Sequence, residues 1–220
     1  MDRPTRLAVL ASGRGSNLQA LLDATASGAL QARVVGVFSD RAQAAALERA
    51  RCAGIPAVAR APADYTSREA FDQALFADVD AVAPDLVVCA GYLRLLSDAV
   101  VARWQGRMLN IHPSLLPEFK GLRTHARALA AGSALHGASV HFVTPDLDGG
   151  PVIAQARVPV HAGDDAERLA LRVLAREHPL LVATLALACA GRVVLDGPAV
   201  RLDGAVLATP LQLGANDGFA

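Results

Sequence analysis

Asn110 and His112 stand at alternate positions at the end of an apolar run, Met108-Leu109-Asn110-Ile111-His112, and Pro113 follows at once. Alternate residues of a strand share a face, so an amide and an imidazole project together. Pro113 removes a backbone N–H and stops regular pairing, which puts the pair at a strand terminus. Strand C-termini are where open α/β sheets bind ligands. An amide donor beside an imidazole suits stabilisation of an oxyanion and the handling of a proton. A carboxylate partner is offered by Asp146-Leu147-Asp148-Gly149-Gly150, whose glycines permit tight turns. A carboxylate near an imidazole orients the ring and favours its cationic form. Spacing alone does not choose between Asp146 and Asp148. His136 and His141 lie five apart without a ligand cluster, so they read as structural or pocket residues and no metal is expected.

A second chemical signal is Ser12-Gly13-Arg14-Gly15-Ser16-Asn17, between an apolar strand-like run and a helix with Leu18, Leu21 and Leu22. Glycines let the backbone approach an anion, and the helix start offers N–H groups with a positive dipole end. Ser16-Asn17-Leu18-Gln19 also fits an ordinary capping box. A dinucleotide fingerprint lacks its third glycine, because Leu18 stands there, although Asp40 could mimic the ribose-binding acid. A P-loop is excluded by the missing GK[ST].

These residues are spaced by alternating elements. Strands are expected over 7–11, 34–38, 56–59, 86–90, 108–112, 136–144 and 152–158, with helices over 41–52, from the Thr66 cap through Val79, and over 97–104, 124–131 and 164–191. Thr66 and Glu69 fit a capping box, and Phe71, Ala74, Leu75 and Val79 share a helical face. Pro179 should kink or break the long helix. Residues 193–195 and 200–202 suggest a terminal hairpin, and the stretch from 209 to 220 reads as a poorly ordered tail. The β-α-β-α order implies an α/β, Rossmann-like doubly wound sheet, parallel in its N-terminal half and mixed in its C-terminal half. Without a repeat or linker, 220 residues read as one domain.

Hydrophobic residues make up 53% and aromatic residues 4%, so the core must be aliphatic. Lys+Arg and Asp+Glu are both 21, which disfavours a broad nucleic-acid or membrane surface but allows a small basic pocket. Cys52, Cys89 and Cys189 lack CxxC spacing and read as buried, reduced thiols. The N-terminal apolar run is too short for a secretory signal, and the stretch 180–190 is too short for a bilayer. A cytoplasmic protein is expected.

The segments SGRGSNLQALLDA (12–24), PDLVVCAGYLRLLS (84–97), MLNIHPSLLP (108–117), HGASVHFVTPDLDGGPVIAQ (136–155) and REHPLL (176–181) resemble the folate-dependent formyltransferase family. Within it they are most similar to phosphoribosylglycinamide formyltransferases, with related formyltetrahydrofolate deformylases next. The deformylases normally carry an additional N-terminal domain, which is not expected here. The resemblance runs from about Leu7 to Arg192. It implies one formyltransferase domain with a phosphate-binding half near 5–105 and a catalytic, folate-binding half near 106–205. It implies formyl transfer from 10-formyltetrahydrofolate, as co-substrate, to glycinamide ribonucleotide, without metal. It also selects Asp148, the aspartate directly before the glycine pair, as partner of Asn110 and His112. Gly15, Ser16 and Asn17 would hold the substrate phosphate and Glu177 the ribonucleotide. Arg68, Leu93, Arg94, Leu96, His141, Thr144 and Asp148 would line the folate site. Leu174 and Arg123 depart from the family's usual residues at their positions. Partners are small molecules, and the sequence leaves the oligomeric state open, a homodimer included.

Overall fold

The computed structural model describes residues 3–219, which fall into two compact units, Met1–Asn110 and Ile111–Ala220. The first unit follows the expected alternation. Strands β1 (Thr5–Leu10), β2 (Ala32–Ser39), β3 (Ala57–Ala59), β4 (Leu86–Cys89) and β5 (Met108–His112) line up in the order β3-β2-β1-β4-β5, and the four pairings are parallel. Helices α1 (Ser16–Ala26), α2 (Ala45–Cys52), α3 (Arg68–Ala81) and α4 (Asp98–Arg103) connect them. Leu7 to Leu10 of β1 are fully buried, as expected of a strand covered on both faces. From β1 the chain winds outward to β2 and β3 and then returns to β4 on the other side. The C-termini of β1 and β4 therefore flank a topological switch point, the usual ligand crevice of such sheets.

The second unit is mixed. Strand β6 (Leu135–Phe142) runs antiparallel to β7 (Val152–Pro159), which takes parallel β11 (Leu211–Gln212) on its other edge. Helix α5 (Thr124–Ala130) precedes β6, and helix α6 (Ala166–Cys189) packs on β6 and β7. Strands β8 (Val193–Asp196), β9 (Ala199–Leu202) and β10 (Ala205–Val206) form a separate meander. The expected hairpin thus gains a third strand.

Several expectations are corrected. The stretch after Thr209 is not an unpaired tail: β11 pairs with β7, and the Leu213 N–H donates to the Gln155 carbonyl; Ala220 lies outside the described residues. The α3 cap is Ser67 rather than Thr66, its hydroxyl accepting from the Ala70 N–H at 3.1 Å. That register puts Phe71, Leu75 and Val79 in the core, with Asp72 fully buried among them. Pro179 does not break α6, which is continuous over 24 residues. Proline costs an interior helix about 3 kcal/mol. Leu180, Leu181 and Leu185 are fully buried just beyond it, and packing of that face offsets the loss. Cys52 is exposed and Cys189 half-buried, so only Cys89 is a buried thiol; among the described residues no disulfide joins them. None of the described helices is long and apolar enough to cross a membrane.

Gly137 sets the β6–β7 approach. A Cβ there would lie 2.0 Å from the Ala156 carbonyl oxygen, inside any allowed contact. Gly132 has φ +65° but open space around it. Gly137→Ala is therefore expected to cost at least about 3 kcal/mol by urea unfolding, and Gly132→Ala about 1 kcal/mol. Equal losses would show that backbone strain, not the close approach, dominates at Gly137.

Candidate active site

In the second unit the site is built on one carboxylate. Asp148 Oδ2 accepts from the Gly121 N–H at 2.8 Å and lies 3.4 Å from His112 Nδ1. Asp148 Oδ1 lies 3.7 Å from His141 Nε2. Each imidazole is anchored on its other nitrogen by a main-chain carbonyl: His112 Nε2 at 3.1 Å from Phe119 O, His141 Nδ1 at 2.9 Å from Phe142 O. Carbonyls only accept, so those nitrogens carry the protons. Asp146 is exposed on the same loop, whereas the Asp148 side chain is 11% exposed.

Local backbone explains why the loops take this shape. Asp148 and Phe119 have φ +45° and +52°, a left-handed region that aspartate tolerates and phenylalanine rarely adopts. Gly149 and Gly150 are required by space: a Cβ on Gly150 would sit 1.8 Å from the Phe142 carbonyl oxygen, the group that anchors His141. The segment after β5 is held by a buried network. Ser139 Oγ accepts from Leu116 N–H at 3.0 Å and from Gln155 Nε2 at 3.0 Å, and donates to Ser114 O at 2.7 Å. Gln155 also donates to Leu116 O at 2.9 Å. Behind Phe119, its ring meets His136 edge-on at 5.9 Å, and His136 Nε2 lies 3.2 Å from His125 Nδ1.

Two opposing effects act on His112. Burial pulls the His112 pKa down, opposed by Asp148 and the Phe119 carbonyl, and the net value lies below the ordinary 6.5. Burial thus works against the charge that Asp148 favours, and the ring holds its proton less tightly than a free imidazole. Burial alone would raise the Asp148 pKa, but His141, His112 and the Gly121 N–H outweigh it and hold the carboxylate ionised. His136 is pushed down to about 4, chiefly by burial and then by the neighbouring imidazoles.

Most of the other expected residues lie in the first unit, and Thr144 and Glu177 in the second. Gly15 is the N-cap of α1 at φ +72°, with no side-chain cap, so Ser16 opens the helix and the capping-box reading fails. A Cβ on Gly15 would meet Ala46 of α2 at 2.7 Å, so this glycine is also a packing requirement. Arg94 places its guanidinium 5.1 Å above the Phe71 ring, and Leu93 is 53% exposed beside it. Leu96 is buried in the core, and Arg68 is exposed, pairing with Glu69 at 3.6 Å. Asn110 shares β5 with His112 and pairs in register with Cys89. Glu177 is buried on α6, and Thr144 half-buried after β6.

Sequence reasoning missed the Phe119 carbonyl, a main-chain group with no signature, and the Ser139–Gln155 network. It also missed Asp72, although a carboxylate inside an apolar helical face is a readable signal.

The formyl transferase family model matches residues 5–185. The chain belongs to that family. It is 48% identical over 198 residues to the phosphoribosylglycinamide formyltransferase of Escherichia coli (strain K12), covering 90% of this chain and 93% of that protein. It is 44% identical over 193 residues to the Homo sapiens trifunctional purine biosynthetic protein adenosine-3, covering 88% of this chain but 19% of that longer protein. The solved phosphoribosylglycinamide formyltransferase from Coxiella burnetii matches with TM-score 0.90 at 45% identity, covering 93% of this chain and 96% of that one. The chain is accordingly a formyltransferase.

Two outcomes are expected from titration. Asp148→Asn lowers the His112 pKa further in an NMR titration, because an opposing charge is removed, and Asp146→Asn leaves it in place. The reverse pattern would assign the partnership to Asp146. For His136, the folded pKa of about 4 lies below the unfolded value of 6.5. The unfolded chain therefore binds more protons in that window, and stability falls as pH drops from 6.5 towards 4, by roughly 3 kcal/mol from this group. His136→Gln should flatten the urea-midpoint profile over that window; an unchanged profile would place the acid sensitivity elsewhere.

Proposed function

We propose that the chain transfers the formyl group of 10-formyltetrahydrofolate to the amine of glycinamide ribonucleotide, a step of de novo purine synthesis. The products are formylglycinamide ribonucleotide and tetrahydrofolate. The observation that carries this reading is the half-buried Asp148 carboxylate 3.4 Å from His112, at the end of a strand that also carries Asn110, in a member of the formyl transferase family.

The amine, as a neutral nucleophile, forms a bond to the formyl carbon, and the carbonyl electrons move to oxygen. The Asn110 amide donates to that oxyanion. His112 Nε2 joins it by exchanging the Phe119 carbonyl for the oxyanion. The Nε2–H stays on the ring as it donates to the oxyanion, so His112 takes up no proton and the amine proton is the one that moves. That hydrogen bond strengthens as negative charge develops on the oxygen, which is where donor strength lowers a barrier. Asp148, through a water, passes the amine proton to the folate nitrogen as its bond to the formyl carbon breaks. These donors and acceptors complete the transfer, and no step calls on a metal.

Binding is divided among the other residues. The Gly15–Asn17 turn at the start of α1 suits a monophosphate dianion. Glu177 holds the ribonucleotide. Arg68 and Arg94 offer cations for folate carboxylates, while Leu93, Leu96, His141, Thr144 and Asp148 line the rest of that site. The same reading treats the enzyme as cytoplasmic and as one functional domain.

The direct test measures formyl-folate consumption with and without glycinamide ribonucleotide. Consumption should require the ribonucleotide; equal consumption without it would make the protein a hydrolase. His112→Ala and Asn110→Ala should each lower turnover by about 10² or more, from loss of an oxyanion donor. Ser16→Ala should raise the ribonucleotide KM while leaving the folate KM in place. Ser16 is the better probe than Gly15, whose substitution disturbs the packing on Ala46. Near-normal turnover in folded His112→Ala would remove the assigned role.

A further inference from the structure

At the switch point of the first unit, one side chain ties two loops together. Ser12 follows β1 and opens the glycine loop. Its N–H donates to the Gly91 carbonyl at 3.0 Å, and its hydroxyl oxygen accepts from the Leu93 N–H at 3.0 Å. Ser12 is 2% exposed. The segment it holds, Gly91 to Ser97 after β4, has no regular secondary structure. Leu93 and Leu95 point to solvent at 53% and 45% exposure, while Leu96 is buried near the α3 end of the segment. Its other tie is to α3. The Ser97 N–H donates to Asp72 Oδ2 at 2.6 Å, and the Arg94 guanidinium lies over Phe71. Asp72 is fully buried, and burial raises its pKa. The strap is therefore pinned to rigid α3 at one end and to the glycine loop, through Ser12, at the other.

We propose that Ser12 is a positioning residue that couples the two substrates: fixing the glycine loop by a phosphate fixes the Gly91–Ser97 strap, and so strengthens folate binding, and the reverse. This rests on the reading above, in which the glycine loop holds the phosphate and Leu93 and Arg94 border the folate. Physically, order imposed on one loop is transmitted by two hydrogen bonds and need not be imposed again by the second ligand. Such coupling is reciprocal. Ser12 touches neither ligand in this account, and neither partner group in the strap is a side chain that sequence could mark.

The test uses glycinamide ribonucleotide with unformylated tetrahydrofolate, a pair that cannot react. Calorimetry gives the ribonucleotide Kd alone and at saturating tetrahydrofolate, in wild type and Ser12→Ala. Wild type should bind the ribonucleotide about 5-fold or more tightly when the folate is present. In Ser12→Ala that gain should shrink to less than about 2-fold, with each ligand's Kd alone changed far less than the coupling. A merely structural role would weaken each Kd and leave the ratio intact, and that result overturns the proposal. A wild-type Kd indifferent to folate overturns it as well. If wild type binds neither ligand, the functional reading itself fails, an outcome distinct from binding without coupling. Should Ser12→Ala not fold, Ser12→Cys keeps the volume with a weaker acceptor, and its coupling should fall between wild type and unity; full wild-type coupling there overturns the proposal.

Discussion

An ionised carboxylate taken out of water is costly unless charges and hydrogen bonds replace its hydration, and the second unit is organised around meeting that condition at Asp148. One N–H, from Gly121, and two imidazoles surround it. Both imidazoles are in turn fixed by carbonyls that can only accept, which settles which nitrogen carries the proton. The constraint then propagates into the backbone. Phe119 takes a left-handed φ and presents its carbonyl to His112 Nε2. Gly150 must lack a Cβ so that its chain can close on the Phe142 carbonyl. The Ser139–Gln155 network holds Leu116, in the segment that leads to Phe119.

The first unit answers a different problem, that of presenting main-chain groups at the place where a parallel sheet splits its connections. β1 and β4 diverge after Leu10 and Cys89, and their outgoing loops would drift apart without a cross-link. Ser12 supplies it with both its N–H and its hydroxyl. Gly15, at φ +72° and in contact with Ala46, sets the direction in which α1 departs. The turn proposed to bind phosphate and the packing of α1 on α2 thus depend on the same missing Cβ.

Elements with a clear period were legible in the sequence. β5 has the residues expected of it, and the parallel-then-mixed sheet follows from the order of apolar runs and helices. Misreadings arose where local rules met tertiary packing. The α3 cap shifted from Thr66 to Ser67 because either adjacent hydroxyl can cap a helix and the buried face chooses between them, although Ala70 leaves Ser67 without a capping-box partner. Pro179 stayed inside α6 because the leucines beyond it are fully buried. The final strand was illegible because two residues, Leu211 and Gln212, carry no period at all and are recruited by the open edge of β7. At the site, side-chain identities could be named in advance, but the carbonyls of Phe119 and Phe142 could not, since every residue has one.

The sign of the His112 shift shows why those carbonyls matter to the chemistry. Composition and spacing suggested that a carboxylate neighbour would keep the imidazole charged. Burial reverses that, because a low-dielectric surrounding penalises the cation more than a carboxylate at 3.4 Å stabilises it. The consequence favours catalysis. A permanently cationic donor would be solvated by its partners in the ground state and would gain little as the oxyanion forms. In the proposed transfer, an Nε2–H that leaves the Phe119 carbonyl for a negative oxygen gains most as that charge develops. The stabilisation is then concentrated on the transition state, the only place where it accelerates the reaction.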